Sequence, residues 1–308
     1  MFAKIFNGAP QRHWLPLVSL SFFASVPVFA SDLEPRSYVH IPVGLSFLGV
    51  SYAHSTGDLS PAPSSPLKNA SLTMDGVGIG ASRTFALLGS SAKADLAVPH
   101  VCYNGEAEIN GSPQSAKRCE TGDPLLRLNW NFLGSPAQTP AEFQSLDRHW
   151  VVGSSLQVGA PLGTYHADHI LNAGTHRWMV KPGLGASYRV GSFQYEAIAT
   201  ASFFQDNTES LNQSTLSQDP LYAVQLHGIY LMNRGQWLAL DANYFWGGQT
   251  ERNGVPEDTR QDNSRLGLTF STPLSKTQSL RLFANQGVMT RIGNDFTTVG
   301  LTWVYRVE

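Results

Sequence analysis

The residues most capable of chemistry fall in three groups. His166-Ala167-Asp168-His169, with His176 close behind, is the densest set of metal-capable side chains. Imidazoles and carboxylates at such spacing can hold a divalent ion. An outward, solvated loop accounts for them equally well, and the expectation is no metal. Cys102 and Cys119 flank one polar, Gly-containing stretch and form no CxxC pair. That spacing favours a disulfide over a redox or metal role, worth up to about 3 kcal/mol through restriction of the unfolded chain. The third group is a scatter of charged residues, each at alternate positions of an otherwise apolar segment: Arg127, Arg177, Lys181, Arg189, Arg265 and Arg281, with Glu196 and Asp241. Serines are many and His100, His166, His169, His176 and His227 are candidate bases, but a triad assembles in space and none is legible in the chain order. No Gly-rich loop precedes a helix, so nucleotide binding and any other cofactor are unsupported.

The elements that would carry these residues have a period of two, the signature of strands. Leu126, Leu128, Trp130 and Phe132 alternate with Arg127, Asn129 and Asn131. Trp150, Val152, Leu156 and Val158 alternate with Gly153, Ser155 and Gln157. Trp178, Val180, Leu184 and Tyr188 oppose Arg177, Lys181 and Arg189, and Phe193 to Phe203 opposes Gln194 and Glu196. Further on, Leu226 and Tyr230 oppose Gln225 and His227; Leu240 and Tyr244 oppose Asp241 and Asn243; Leu266 and Leu268 oppose Arg265; Leu282 and Ala284 oppose Arg281 and Asn285. Segments near 44–54, 72–85 and 91–103 alternate less cleanly. Pro99 and Pro182 interrupt strand-like stretches and predict bulges or strand ends.

The connections carry a second pattern. Tight turns at Gly191-Ser192, Asn233-Arg234-Gly235 and Leu274 to Thr277 alternate with longer polar loops near 55–70, 104–122, 161–176, 205–219 and 249–263. Gly134 to His149 is the exception, long on the short side, with a small helix expected around Ala141 to Leu146. Short turns at one end and long loops at the other describe an outer-membrane barrel. A sandwich has no reason to keep that parity. Trp130, Phe132, Trp150, Tyr188, Phe193, Tyr195, Tyr230, Phe270, Trp303 and Tyr305 collect near the short-turn ends. Trp178, Phe203, Tyr222, Tyr244 and Trp246 collect near the other, where headgroup-level girdles belong. The reading is an all-β, transmembrane antiparallel barrel of about 12 strands.

The ends of the chain agree with export. Lys4 and Arg12 precede a largely apolar stretch from Trp14 to Phe29, and Val28-Phe29-Ala30 sets small residues where a signal peptidase reads. Residues 1–30 are therefore expected to be a signal peptide cleaved before Ser31, and 31–308 the barrel. Without Lys4 and Arg12 the 21 basic residues become 19 against 23 acidic, a net charge of −4 that argues against nucleic acid as a partner. At the other end Thr298, Gly300, Trp303 and Tyr305 match the assembly signal of outer-membrane barrels, although Arg306, Val307 and Glu308 follow the last aromatic. The expected partners are outer-membrane lipid, the secretion pathway, the barrel-assembly machinery and a small-molecule solute.

Seven stretches together resemble one proteobacterial family, labelled for a meta-pathway of phenol degradation: HIPVGLSFLGVSYAHSTGD, GDPLLRLNWNFLGSPA, VVGSSLQVGAPLGTY, NAGTHRWMVKPGLGASYR, QDPLYAVQLHGIY, ALDANYFWGG and TRIGNDFTTVGLTWVYR. They span nearly all of the chain after residue 38. The resemblance implies an outer-membrane channel, some members being encoded beside aromatic-degradation genes. It implies no catalytic residue and no enzyme.

Strand parity then assigns the interior. Arg127, Gln157, Arg177, Lys181, Arg189, Glu196, His227, Asp241, Arg265 and Arg281 face the lumen, with Asn129, Asn131, Gln194, Gln225, Asn243 and Asn285. Basic groups across a narrow pore favour anions such as carboxylates or phenolates. The same residues could instead be a packed polar interior, with Arg127, Arg177 or Arg281 neutralising Glu196 and Asp241. Ile198, Ile229 and Phe283 share the inner parity and suit either an aromatic solute or lumen packing. Three functions stay open: a passive channel for small solutes, anionic or aromatic ones among them; a closed structural barrel; and, least favoured, an outer-membrane lipid hydrolase.

Overall fold

The computed structural model describes residues 33–60, 67–109, 111–143, 150–169 and 171–307. The expected signal peptide and its cleavage site lie outside them. Seventeen strands follow in chain order. β1 (Ser46–Ser60), β2 (Leu67–Leu87) and β3 (Ser90–Ile109) are long. β4 (Ser112–Thr121) is followed by β5 (Leu125–Leu133), β6 (Trp150–Gly159), β7 (Met179–Val190) and β8 (Phe193–Phe204). Short β9 (Asn207–Ser210) and β10 (Ser214–Gln218) precede β11 (Leu221–Leu231) and β12 (Trp237–Gly247). Short β13 (Thr250–Arg252) and β14 (Val255–Pro256) precede β15 (Gln261–Pro273), β16 (Gln278–Thr290) and β17 (Gly293–Val307).

Twelve of these close into a barrel in which every neighbour is antiparallel and adjacent in the order of wall strands. The β1–β17 ladder completes the ring, running from Ser46↔Val307 to Ser60↔Gly293. Closure is what the bilayer demands, since an open edge would leave backbone N–H and C=O groups unpaired in hydrocarbon. Side chains alternate as period two requires. Leu184 and Leu240 are each 63% exposed on the lipid side, whereas Gln157, Glu196, His227 and Asp241 are buried inside. Aromatics pair directly across strands at both rims. Trp150 meets Tyr188 at 4.7 Å and Phe193 meets Tyr230 at 5.2 Å near the short turns. Tyr222 stacks on Trp246 at 5.7 Å near the long loops.

Three expectations need correction. The stretch near 55–70 is not wholly loop: β1 runs to Ser60 and β2 begins at Leu67, and β3 with β4 continues as a hairpin through most of 104–122. These extensions stand beyond the membrane and carry polar cross-strand contacts, Ser55 to Thr298 at 2.8 Å and Thr56 to Thr73 at 3.2 Å. Strands with no apolar face lack the alternation that announces the others. Second, neither proline makes a bulge. The β7–β8 ladder keeps its register but skips Lys181 and Pro182, because Pro182 has no N–H to give. Pro99 sits where β3 changes partner, from β5 below at Ala97 to β4 above at His100, and its carbonyl accepts from Gly122 N at 2.9 Å. Third, the described part of the expected helix, Ala141 to Phe143, is a turn capped by Glu142, which accepts from Thr139 N at 3.0 Å and Thr139 Oγ1 at 2.8 Å; Leu146 lies outside the described residues.

Cys102 and Cys119 face each other in the β3–β4 ladder as a disulfide, with Cα atoms 3.9 Å apart. Gly300 has a packing reason of its own: a Cβ there would lie 2.6 Å from the Tyr52 carbonyl oxygen and collide with the Phe283 ring. The strand that holds Thr298, Gly300, Trp303 and Tyr305 continues through Arg306 to Val307, paired with Phe47 and Ser46.

Candidate functional site: a lumen plugged by its own N-terminal segment

The barrel is not empty. Residues 33–45 lie in the lumen and run from its middle down to the short-turn end, where β1 begins. At the entrance Leu45 N donates to Thr84 Oγ1 at 3.0 Å, Val43 N donates to Gln138 O at 2.8 Å, and His40 stacks on Phe143 at 4.5 Å. Deeper in, Glu196 receives two backbone donors from the segment, Ser37 N at 3.1 Å and Tyr38 N at 3.0 Å. Ser187 Oγ donates to Tyr38 O at 2.5 Å and Asn131 Nδ2 donates to Val39 O at 2.9 Å. Glu34 is ion-paired with Arg127, which also holds Gln157 Oε1 through Nε at 2.9 Å. These wall groups give the segment's backbone the partners that burial would otherwise deny it.

Apolar contacts complete the plug. Tyr38, 1% exposed, packs with Val151 and Ile198, and its hydroxyl donates to Ser155 at 3.2 Å. Gly153 and Gly185 lie opposite each other in the β6–β7 ladder, and the Tyr38 ring fills the space their missing side chains leave. Val39 and Ile41 join Phe47, Ala97 and Val304 nearer the short-turn end. Arg36 and Arg281 both lie over the ring of Trp237, at 5.6 and 5.5 Å, within cation–π range.

The predicted lumen residues therefore divide. Arg127 and Glu196 bind the segment. His227 Nδ1 and Asp241 Oδ1 meet at 2.7 Å, with Thr269 Oγ1 donating to Asp241 Oδ2 at 2.7 Å, so these form a buried wall network. Glu196 thus accepts from two backbone amides, and Asp241 is engaged by an imidazole and a hydroxyl. Arg189 is exposed and donates to Gly191 O at 3.3 Å, placing it at the short-turn rim. Ile198 and Ile229 are packing residues, the second against Trp237 and Ala239. None of Glu34, Arg36 or Tyr38 was visible as a lumen residue from strand parity, since all three precede the first strand. The available signal was the run Glu34-Pro35-Arg36-Ser37-Tyr38 ahead of the first strand, too polar for lipid yet carrying an aromatic.

Above the plug the lumen opens into a vestibule of about 510 Å³ beneath the long loops. That size suits a small organic molecule. Its charged lining is Arg177, Lys181, Arg265 and Asp123. Asp123 is already engaged: Oδ1 accepts from Gly163 N at 2.9 Å, and Oδ2 from Thr175 N at 2.8 Å and Thr175 Oγ1 at 2.6 Å. The basic lining is Arg177, Lys181 and Arg265. Arg177 precedes β7, donates to Gln218 Oε1 at 2.5 Å and stacks 4.5 Å from Phe204. Burial pulls its pKa down to about 10, so it stays charged at neutral pH. Arg265 donates to Asn285 Oδ1 and Asn294 Oδ1 at 2.9 and 2.8 Å. Phe204, Phe245, Phe283 and Phe296 supply apolar wall between these cations. Towards the plug the space shrinks to about 30 Å³ beside Tyr38, Arg127 and Lys181, little more than a water molecule's share of liquid volume.

No hydrolytic site appears among the described residues. None of the five candidate histidines hydrogen-bonds a serine: His100 faces Thr121 Oγ1 at 3.1 Å, His227 faces Asp241, and His176 stacks on Tyr165 at 4.9 Å and pairs with Glu209 at 3.4 Å. His40 does contact Ser135 Oγ at 3.0 Å, but its other nitrogen meets Gln138 rather than an acid, and Ser135 is buried.

Fold and lumen together define a transmembrane β-barrel of the outer-membrane type, with a polar interior occupied by its own N-terminal segment. The chain belongs to the family described as "Putative MetA-pathway of phenol degradation", whose pattern matches residues 68–304. Among solved structures it is similar to an outer-membrane channel from Pseudomonas putida F1, with 21% identity and a TM-score of 0.74 over 90% of this chain and 100% of that one. It is also similar to the transport unit of the autotransporter AIDA-I from Escherichia coli, with 10% identity and a TM-score of 0.54 over 91% and 94% of the two chains. At these identities the likeness speaks to the fold. No curated protein matches the sequence.

Proposed function

We propose that the protein is a passive outer-membrane channel for small anionic solutes, aromatic carboxylates or phenolates among them, held shut by residues 33–43. The observation that carries this reading is the vestibule, in which Arg177, Lys181 and Arg265 share a small-molecule-sized cavity with phenylalanine rings. Cations fix a carboxylate or phenolate, and ring faces take up the apolar body. The family's description and the Pseudomonas channel support transport and not catalysis. The sequence carries no nucleotide-binding motif, and the reading is of diffusive flux down a gradient.

The plug favours a second reading, a closed barrel with a structural role. One experiment separates the two: planar-bilayer conductance of the refolded protein and of a variant lacking residues 31–43. In the channel reading the deletion gives large, anion-selective steps that benzoate blocks. A deletion variant that folds, keeps its heat-resistant mobility in detergent gels and still does not conduct would overturn it.

A further inference from the structure

Outside the lumen, the hairpin of β3 and β4 meets the loop that joins β6 to β7. There Glu120 comes together with His166 and His169, their candidate ligand atoms all within 4.8 Å of one another. Chain order concealed this third member, since Glu120 lies far upstream of the histidine run, while His176 turns away to Tyr165 and Glu209. We propose that these three residues form a binding site for a borderline divalent cation, Zn²⁺ above all, with a fourth position open to solvent.

The surroundings are those of a built site. Glu120 is buried and stands one residue from the Cys102–Cys119 disulfide. Its Oε2 accepts from Tyr103 OH and from Ala173 N, both at 3.1 Å, and these bonds fix the carboxylate while leaving Oε1 available. The histidine turn is clamped by Asn172, whose Oδ1 accepts from His166 N at 2.7 Å and whose Nδ2 donates to the carbonyls of His166 and His169 at 3.1 and 3.0 Å. The two imidazoles lie 4.7 Å apart.

A second observation points to a ligand. His169 Nδ1 is buried and has no hydrogen-bond partner among the described residues, a costly state for a ring nitrogen. A metal at Nδ1 supplies the partner. The opposite nitrogen, Nε2, then faces Asp168 Oδ1 at 3.7 Å, the arrangement in which an outer carboxylate orients a ligating imidazole. Ligands at 2.0–2.1 Å from a tetrahedral ion sit about 3.3 Å apart, so the cluster closes by a small movement of side chains. Nitrogen and carboxylate donors select Zn²⁺ over Mg²⁺ or Ca²⁺. Asn172 and Ala173 also line the vestibule, so a bound ion would pin one wall of its mouth to the disulfide-stapled hairpin.

The test is isothermal titration of untagged, full-length, EDTA-treated protein in detergent with ZnCl₂, alongside MgCl₂. The expected result is one saturable Zn²⁺ site, absent for Mg²⁺, and weakened by about tenfold or more in the His166→Ala/His169→Ala double variant. Glu120→Gln is a third arm, but it removes a buried structural group, so the double-histidine variant, checked for native gel mobility, decides. Zn²⁺ affinity unchanged in that folded variant, or no saturable binding by the wild type, overturns the site.

Discussion

Gly185 has no side chain where the Tyr38 ring lies. A Cβ at Gly185 would collide with that ring, and one at Gly153, its partner across the ladder, would approach it to 2.8 Å. Two glycines on adjacent wall strands thus make the socket that seats the plug. Gly185→Val should therefore displace residues 33–43 while leaving the wall intact. Overpacking of this kind costs about 1–3 kcal/mol, a cost the barrel avoids by releasing the segment. Single-channel conductance should rise towards that of the 31–43 deletion. Unchanged conductance would show that the socket does not control the plug.

Glu196 anchors the segment by a different force. One carboxylate receives two backbone N–H donors, and hydrogen bonds to a charged group contribute about 1.5–3 kcal/mol each. Glu196→Ala removes both acceptors, so Ser37 should spend more time exposed. With Ser37→Cys as reporter, maleimide labelling of the folded barrel should speed up about tenfold or more in the Glu196→Ala background. Equal labelling rates would assign the retention to Tyr38 packing and the Glu34–Arg127 pair.

Arg177 reports on the vestibule rather than the plug. In the plug-deleted channel Arg177→Ala should lower the anion-to-cation permeability ratio about twofold or more, because one of the three vestibule cations is lost near the mouth. Benzoate block should weaken with it, since the guanidinium stacked on Phe204 offers both charge and a flat face. The reversal potential in a salt gradient measures the first effect. No shift there would mean that Lys181 and Arg265 alone set selectivity.

Asp241 is a matter of stability. It is fully buried, pairs with His227 and accepts from Thr269. Asp241→Ala strands both groups, at about 1–3 kcal/mol for each orphaned donor. The temperature at which the protein loses its compact gel mobility should fall, while Arg177→Ala leaves it nearly unchanged. A variant as heat-resistant as the wild type would show that water replaces the lost carboxylate.

The wall was legible because lipid and lumen impose opposite demands on alternate residues. Leu226, Tyr230, Leu240 and Leu266 on one parity and Gln225, His227, Asp241 and Arg265 on the other need no tertiary information to be sorted. Loop parity and aromatic placement followed from the same membrane constraint. Strand ends beyond the bilayer were harder to read. Between Ser55 and Ser60 Leu59 is the one apolar side chain, so no alternation in the order of residues marks the ladder.

The sequence by itself determined that this chain closes into a membrane barrel, which residues face inward, and where the rims lie, because period-two burial is a local property. What each inward residue does was decided only by the tertiary structure. Arg127 and Glu196 bind a segment that lies more than ninety positions away along the chain. Glu120 meets His166 and His169 only because a disulfide hairpin folds over the loop between β6 and β7. The segment 33–45 itself carries no strand pattern, since its hydrogen-bond partners are side chains of the wall. Contacts of that kind leave no periodic trace, and they exist only once the ring has closed.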